Sequence, residues 1–102
     1  MKYHTKLSGV TFGNGQPLIA ALAIDDNLVI EADPTNAHDP NALSVRIAEG
    51  ECVRTHIGWI PTALAADLAP QIAGRSIPVT AWLRTGGGEG MSYGLVISFE
   101  VV

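Results

Sequence analysis

Ala42-Leu43-Ser44-Val45-Arg46-Ile47-Ala48 sets Leu43, Val45 and Ile47 on one side and Ser44 and Arg46 on the other. That period of two is the signature of a half-buried β-strand. Working outward, Leu28-Val29-Ile30-Glu31 on one flank and Arg54-Thr55-His56-Ile57-Gly58-Trp59-Ile60 on the other also read as strands, as does Ile77 to Arg84. Pro78 predicts that this last strand begins at a sheet edge, because proline donates no ladder hydrogen bond. Near the C-terminus Tyr93, Leu95, Ile97, Phe99 and Val101 share one face of a long strand, with Gly94, Val96, Ser98 and Glu100 on the other. An N-terminal strand is expected from about Tyr3 to Phe12, ended by the Gly13-Asn14-Gly15 turn.

Helical spacing appears in two places. Thr62 to Ala73 carries Leu64, Leu68 and Ile72 four residues apart, with Thr62 placed to cap the first turn and Gly74 to stop the last. Pro70 predicts a kink or restart, since it lacks the amide an unbroken helix uses. Leu18 to Ala23 is apolar on every side and fits a short helix better than a strand. Gly86-Gly87-Gly88-Glu89-Gly90 joins two strands as a flexible hairpin loop, and no Lys-Ser or Lys-Thr follows it to make a phosphate-binding loop. The sum is a mostly β fold with one or two helices (α+β), a small OB-like β-barrel of about six strands. Both Trp59 and Trp82 are expected in the core.

Composition narrows the function. A chain of 102 residues, 47% hydrophobic, fits one domain over 1–102 that buries roughly two-thirds of its unfolded surface. One cysteine, Cys52, excludes an internal disulfide, and no Cys/His cluster supplies a zinc site. His4, His38, His56 and Asp39 show no metal-ligand spacing, and no cofactor motif is present. No apolar run follows Lys2 and Lys6, so neither a signal peptide nor a spanning helix is expected, and the reading is a cytoplasmic protein without a membrane partner. Six Lys and Arg against ten Asp and Glu give a net charge of −4. Affinity for duplex grows with the number of phosphates neutralised, so any nucleic-acid site must be small. Catalysis is poorly supported: there is no Gly-x-Ser-x-Gly elbow, and Cys52 follows two acidic residues, a setting that does not favour a thiolate nucleophile.

The candidate site is Asp33-Pro34-Thr35-Asn36-Ala37-His38-Asp39-Pro40-Asn41-Ala42, a polar knot inside an apolar, strand-rich chain. Asn36, Asp39 and Asn41 either cap turn amides or face outward to bind. His56, in an apolar strand, reads as a surface or hydrogen-bonded histidine rather than a ligand.

The ordered series Gly9-Val10-Thr11-Phe12, Asn36-x-His38-Asp39-x-Asn41-Ala42-Leu43-x-Val45, His56-Ile57-Gly58-Trp59-Ile60-Pro61 and Ala65-x-x-Leu68-Ala69-Pro70 resembles the HIRAN family over most of the chain. The resemblance implies a modified OB-like barrel and a module that holds the 3′ end of single-stranded DNA, accessory to DNA repair or remodelling, with a helicase-type ATPase or a nuclease as partner. Carried over, His38 stands where the family has tyrosine and lies against a terminal base. Asp39 matches the family residue and accepts a hydrogen bond from a 3′-hydroxyl, and Phe12 matches an aromatic that stacks on a base. Asn41 completes the motif, and Thr11 occupies the position of a phosphate-binding basic residue but carries no charge. With that charge missing and Ala37 in place of the usual proline, the alternative is a protein-interaction or structural module that has lost DNA binding.

Overall fold

The computed structural model describes residues 1–11, 15–33, 36–72 and 74–101. Six strands and two helices follow in the order β1 (Lys2–Lys6), α1 (Gly15–Ala21), β2 (Asn27–Ala32), β3 (Leu43–Ile47), β4 (His56–Trp59), α2 (Thr62–Ile72), β5 (Ile77–Gly86) and β6 (Tyr93–Glu100). All pairings are antiparallel, in the sheet order β1-β6-β5-β2-β3-β4. The sheet curls into a half-barrel, and its two outermost strands meet at one point. There Ser8, just past β1, exchanges both backbone hydrogen bonds with Trp59 of β4, at 2.8 Å each.

The alternating apolar residues fill the concave side. Leu28 and Ile30, Leu43, Val45 and Ile47, Ile57, Val79 and Ala81, and Leu95, Ile97 and Phe99 are all buried in one cluster. Ile19 from α1 and Ala65, Leu68 and Ile72 from α2 complete it. Full burial of a Leu or Ile side chain stabilises by roughly 1.5–3 kcal/mol, so this face, not local propensity, fixes the register of each strand. Gly15 opens α1 hard against β4: a Cβ there would stand 2.8 Å from the Ile57 carbonyl oxygen. The Gln16 side chain fastens the same helix, donating to the carbonyls of Val10 and Tyr93 and accepting from the Tyr93 amide.

Several local expectations are corrected. β1 stops at Lys6, because Ser8 leaves to pair with Trp59 and Gly9 takes a left-handed φ of 65° that ends the extended run. β4 starts only at His56, since Arg54 adopts φ 70° in the preceding turn. β5 is an interior strand; Pro78 pairs with Val29 of β2, and pairing with β6 begins only at Thr80, so its missing amide interrupts no ladder bond to β6. α2 runs through Pro70 as one helix, the proline falling in its last turn where few later bonds depend on it. Its first hydrogen bond runs from the Ala65 amide to the Pro61 carbonyl, so Pro61, not Thr62, holds the cap position. Trp82 is not core: it is 48% exposed, at a β-bulge between Ala81 and Leu83 that turns both Trp82 and Leu83 outward. Trp59 is only half-buried. No helix among the described residues is long and apolar enough to cross a membrane.

Candidate nucleic-acid interface

The polar knot folds as a self-capped turn. Asn36 Oδ1 accepts the amides of His38 at 2.8 Å and Asp39 at 3.0 Å, and the Asp33 amide bonds the Ala42 carbonyl at 2.9 Å, closing the loop across its base. Asn36 is therefore a capping residue. Asp39 divides its carboxylate: Oδ1 accepts the Asn41 amide at 2.9 Å, while no hydrogen bond from another described residue reaches Oδ2. This residue is half-buried and borders a groove of about 580 Å³, within the ~300–1,000 Å³ typical of ligand clefts.

The groove lies where the half-barrel closes. His38 and Asp39 come from the knot, Ser8 and Gly9 from the chain leaving β1, and Trp59 and Ile60 from the end of β4. Thr62 brings the start of α2 to the same opening. The amides of Thr62, Ala63 and Leu64 precede the first intrahelical bond, so the positive end of the helix dipole faces this region. Among the described residues no Lys or Arg lines the groove. The lining thus combines one carboxylate, two rings and the first residue of a helix.

Behind Trp59, His56 is held in place. Their rings lie 4.4 Å apart at 52°, and His56 Nδ1 is 2.6 Å from the buried Ser44 hydroxyl. Burial, and next the Arg46 guanidinium, push the His56 pKa below its ordinary value, against an opposing pull from Asp33. The ring is accordingly neutral, and its Nδ1 shares a hydrogen bond with the Ser44 hydroxyl. His56 is thus a hydrogen-bonded histidine that supports Trp59, as its setting in the sequence suggested.

Of the expected site residues, His38 and Asp39 share the groove. Asn41 is exposed and does not line it; its amide serves the Asp39 cap. Thr11 is exposed in a turn and is not among the lining residues, and Phe12 falls outside the described residues. Sequence reading missed Trp59, Ser8 and Thr62 as groove residues. A signal existed for Ser8, which continues the exposed alternation Lys2, His4, Lys6. A second depression, of about 420 Å³ beside Gln16 and Tyr93, is shallow, and the Gln16 amide that faces it is already bonded. Among the described residues no group of three or more His, Cys, Asp or Glu could hold a metal ion.

The family model for the HIRAN domain matches residues 2–102. The chain belongs to the HIRAN domain family. Among solved structures, the HIRAN domain of human HLTF is similar in fold, with a TM-score of 0.67 and 19% identity, covering 96% of this chain and 74% of that one. Among curated protein sequences none matches significantly. The shared HIRAN architecture is the OB-like half-barrel with its added helices, in a family of nucleic-acid-binding modules.

Proposed function

We propose that this HIRAN domain is a non-catalytic binding module that holds the 3′-hydroxyl end of single-stranded DNA, accessory to a repair or remodelling ATPase or a nuclease in the cytoplasm. The observation that carries this reading is the divided carboxylate of Asp39. One oxygen fixes the turn, and the other, on a residue that lines the groove, is an acceptor with no donor among the described residues. A terminal hydroxyl can donate to it; an internal nucleotide has no such donor, and a 3′-phosphate would meet it with like charge. His38 and Trp59 offer ring faces for the terminal bases, and stacking is worth about 1–3 kcal/mol per base without reading sequence. Phe12 and Thr11, on the segment that follows Gly9, belong to the same proposal, and Asn41 contributes by holding Asp39. With no Lys or Arg among the described lining residues, the amides at the start of α2 supply the positive pole for the adjoining phosphate.

Amide chemical shifts test the assignment. Titration with a short oligonucleotide bearing a free 3′-hydroxyl should move residues 8–9, 38–39 and 59–62 together; shifts confined elsewhere would reject the groove. A second reading has one observation in its favour, the absence of Lys and Arg from the described lining: the domain then docks a protein. Capture of an ATPase or nuclease that Asp39→Ala leaves unchanged, with no shift on DNA addition, would favour it.

A further inference from the structure

The protein has six Lys and Arg side chains, and the structure engages four of them internally. Arg46 donates to the Arg54 carbonyl, and Arg54 pairs with Glu31 at 2.9 Å. Arg75 holds carbonyls at the end of α2, and Arg84 holds the Ala20 and Leu22 carbonyls at the end of α1 while lying over the Tyr93 ring. Lys2 and Lys6 remain, with no partner for either ammonium among the described residues. Both are exposed on the convex side of β1, flanking His4.

That side carries the exposed aromatic as well. His4 packs on Trp82 with ring centroids 4.2 Å apart, across β6, and Leu83 stands beside Trp82, each 48% exposed. The register explains the grouping: Lys6, Val96 and Leu83 form one cross-strand row, and His4, Ser98 and Thr80 the next. Gly94 lets Lys6 lie across β6 towards β5, since a Cβ there would come within 2.9 Å of Lys6 Cε and 2.5 Å of Thr85 Oγ1. The bulge at Ala81/Leu83 turns the tryptophan towards this row. Exposure alternates from Lys2 through His4 and Lys6 to Ser8, and Ser8 already lines the groove. At about 3.4 Å per residue the Lys2–Lys6 row is ~14 Å long, and two residues past its end Ser8 lines the groove.

We propose that the convex face of β1, β6 and β5 carries the part of a single strand lying 5′ to the end held in the groove, with Trp82 and His4 stacking bases and Lys6 and Lys2 meeting phosphates. This rests on the groove reading and extends it. An acidic protein whose unpaired cations gather beside its exposed aromatic rings suits a flexible anionic ligand with flat bases, and OB-type surfaces hold about 4–16 nucleotides, more than the groove alone accommodates. Lys6 carries most of the charge contact, because Lys2 faces Glu100 in register.

Binding of oligo(dT) of three and of ten nucleotides, both with free 3′-hydroxyls, to the full chain tests it by competition. The longer strand should bind more tightly, and Trp82→Ala should remove about fivefold or more of that advantage while leaving the trinucleotide unchanged, which also reports that the variant is folded. Lys6→Gln should lower the slope of log K against log salt by roughly 0.7 for the longer strand only. Equal affinities for the two lengths, or a length advantage that survives both substitutions, would overturn the proposal while the groove reading stands. Failure of both oligonucleotides to bind sinks the groove reading and this extension together. A wild-type dimer abolished by Trp82→Ala, with DNA binding unaltered, would assign the face to a second copy of the chain.

Discussion

Replacing Asp39 separates its two oxygens. Asp39→Asn keeps Oδ1 and with it the 2.9 Å bond from the Asn41 amide, so stability should change by no more than about 0.5 kcal/mol. It exchanges Oδ2, an acceptor with no donor among the described residues, for an amide donor. A hydrogen bond to a charged acceptor is worth about 1.5–3 kcal/mol, which is roughly a ten- to hundred-and-fiftyfold loss of affinity for a free 3′-hydroxyl. Asp39→Ala loses the cap as well and should cost a further ~0.5–1.5 kcal/mol in stability, a fall in Tm of a few degrees for a domain of this size. Fluorescence anisotropy with a labelled oligonucleotide reads the first quantity and urea denaturation the second. Because no phosphate contact is altered, the salt slope should stay as in the wild type. If Asp39→Asn bound as tightly as the wild type, Oδ2 would have no part in recognition; if it unfolded the domain, the carboxylate would be a structural cap alone.

Three further outcomes follow from the packing. His56 is neutral in the fold with its pKa held below the ordinary value, so its contribution is complete above the unfolded pKa of about 6.5 and is lost as pH falls through the lower folded value; denaturation midpoints from pH 7.5 to 5 should show this decline, and His56→Gln should flatten it, whereas an identical decline in the variant would place its origin elsewhere. Gly15→Ala puts a methyl 2.8 Å from the Ile57 carbonyl oxygen, and such overpacking should cost about 1–3 kcal/mol, readable as a lower Tm; an unchanged Tm would mean that α1 shifts freely on β4. Gln16→Ala removes three hydrogen bonds to Val10 and Tyr93, roughly 2–4 kcal/mol at typical values, and should speed amide exchange at Tyr93, while unaltered exchange would deny that this side chain anchors the helix.

The elements legible in the sequence are those with one face against the core. Leu43, Val45 and Ile47, and Leu95, Ile97 and Phe99, alternate because each strand buries one side and wets the other, and Leu64, Leu68 and Ile72 repeat as a helix does. Trp82 escaped because a bulge inserts a residue and breaks the period of two, turning outward a side chain that hydrophobicity alone assigns inward. Trp59 escaped for a non-local reason: its exposure follows from the meeting of Ser8 with β4, fifty residues apart in the chain, where the half-barrel closes over unequal strands. The groove is assembled from residues 8–9, 36–42 and 59–62. Only the middle segment announced itself, since its Asn and Asp density is a local signal and the convergence of the other two is a property of the closed sheet. Local chemistry also decided between capping and binding at Asn36, which only the hydrogen bonds could do.

An acceptor on a groove residue should distinguish a free strand terminus from a blocked one. Competition between two oligonucleotides of identical sequence, one ending in a 3′-hydroxyl and one in a 3′-phosphate, for the wild-type protein measures that discrimination directly. The hydroxyl-ended strand should outcompete the phosphorylated one by roughly tenfold or more in Kd; equal competition by the two would mean that Asp39 does not read the strand end.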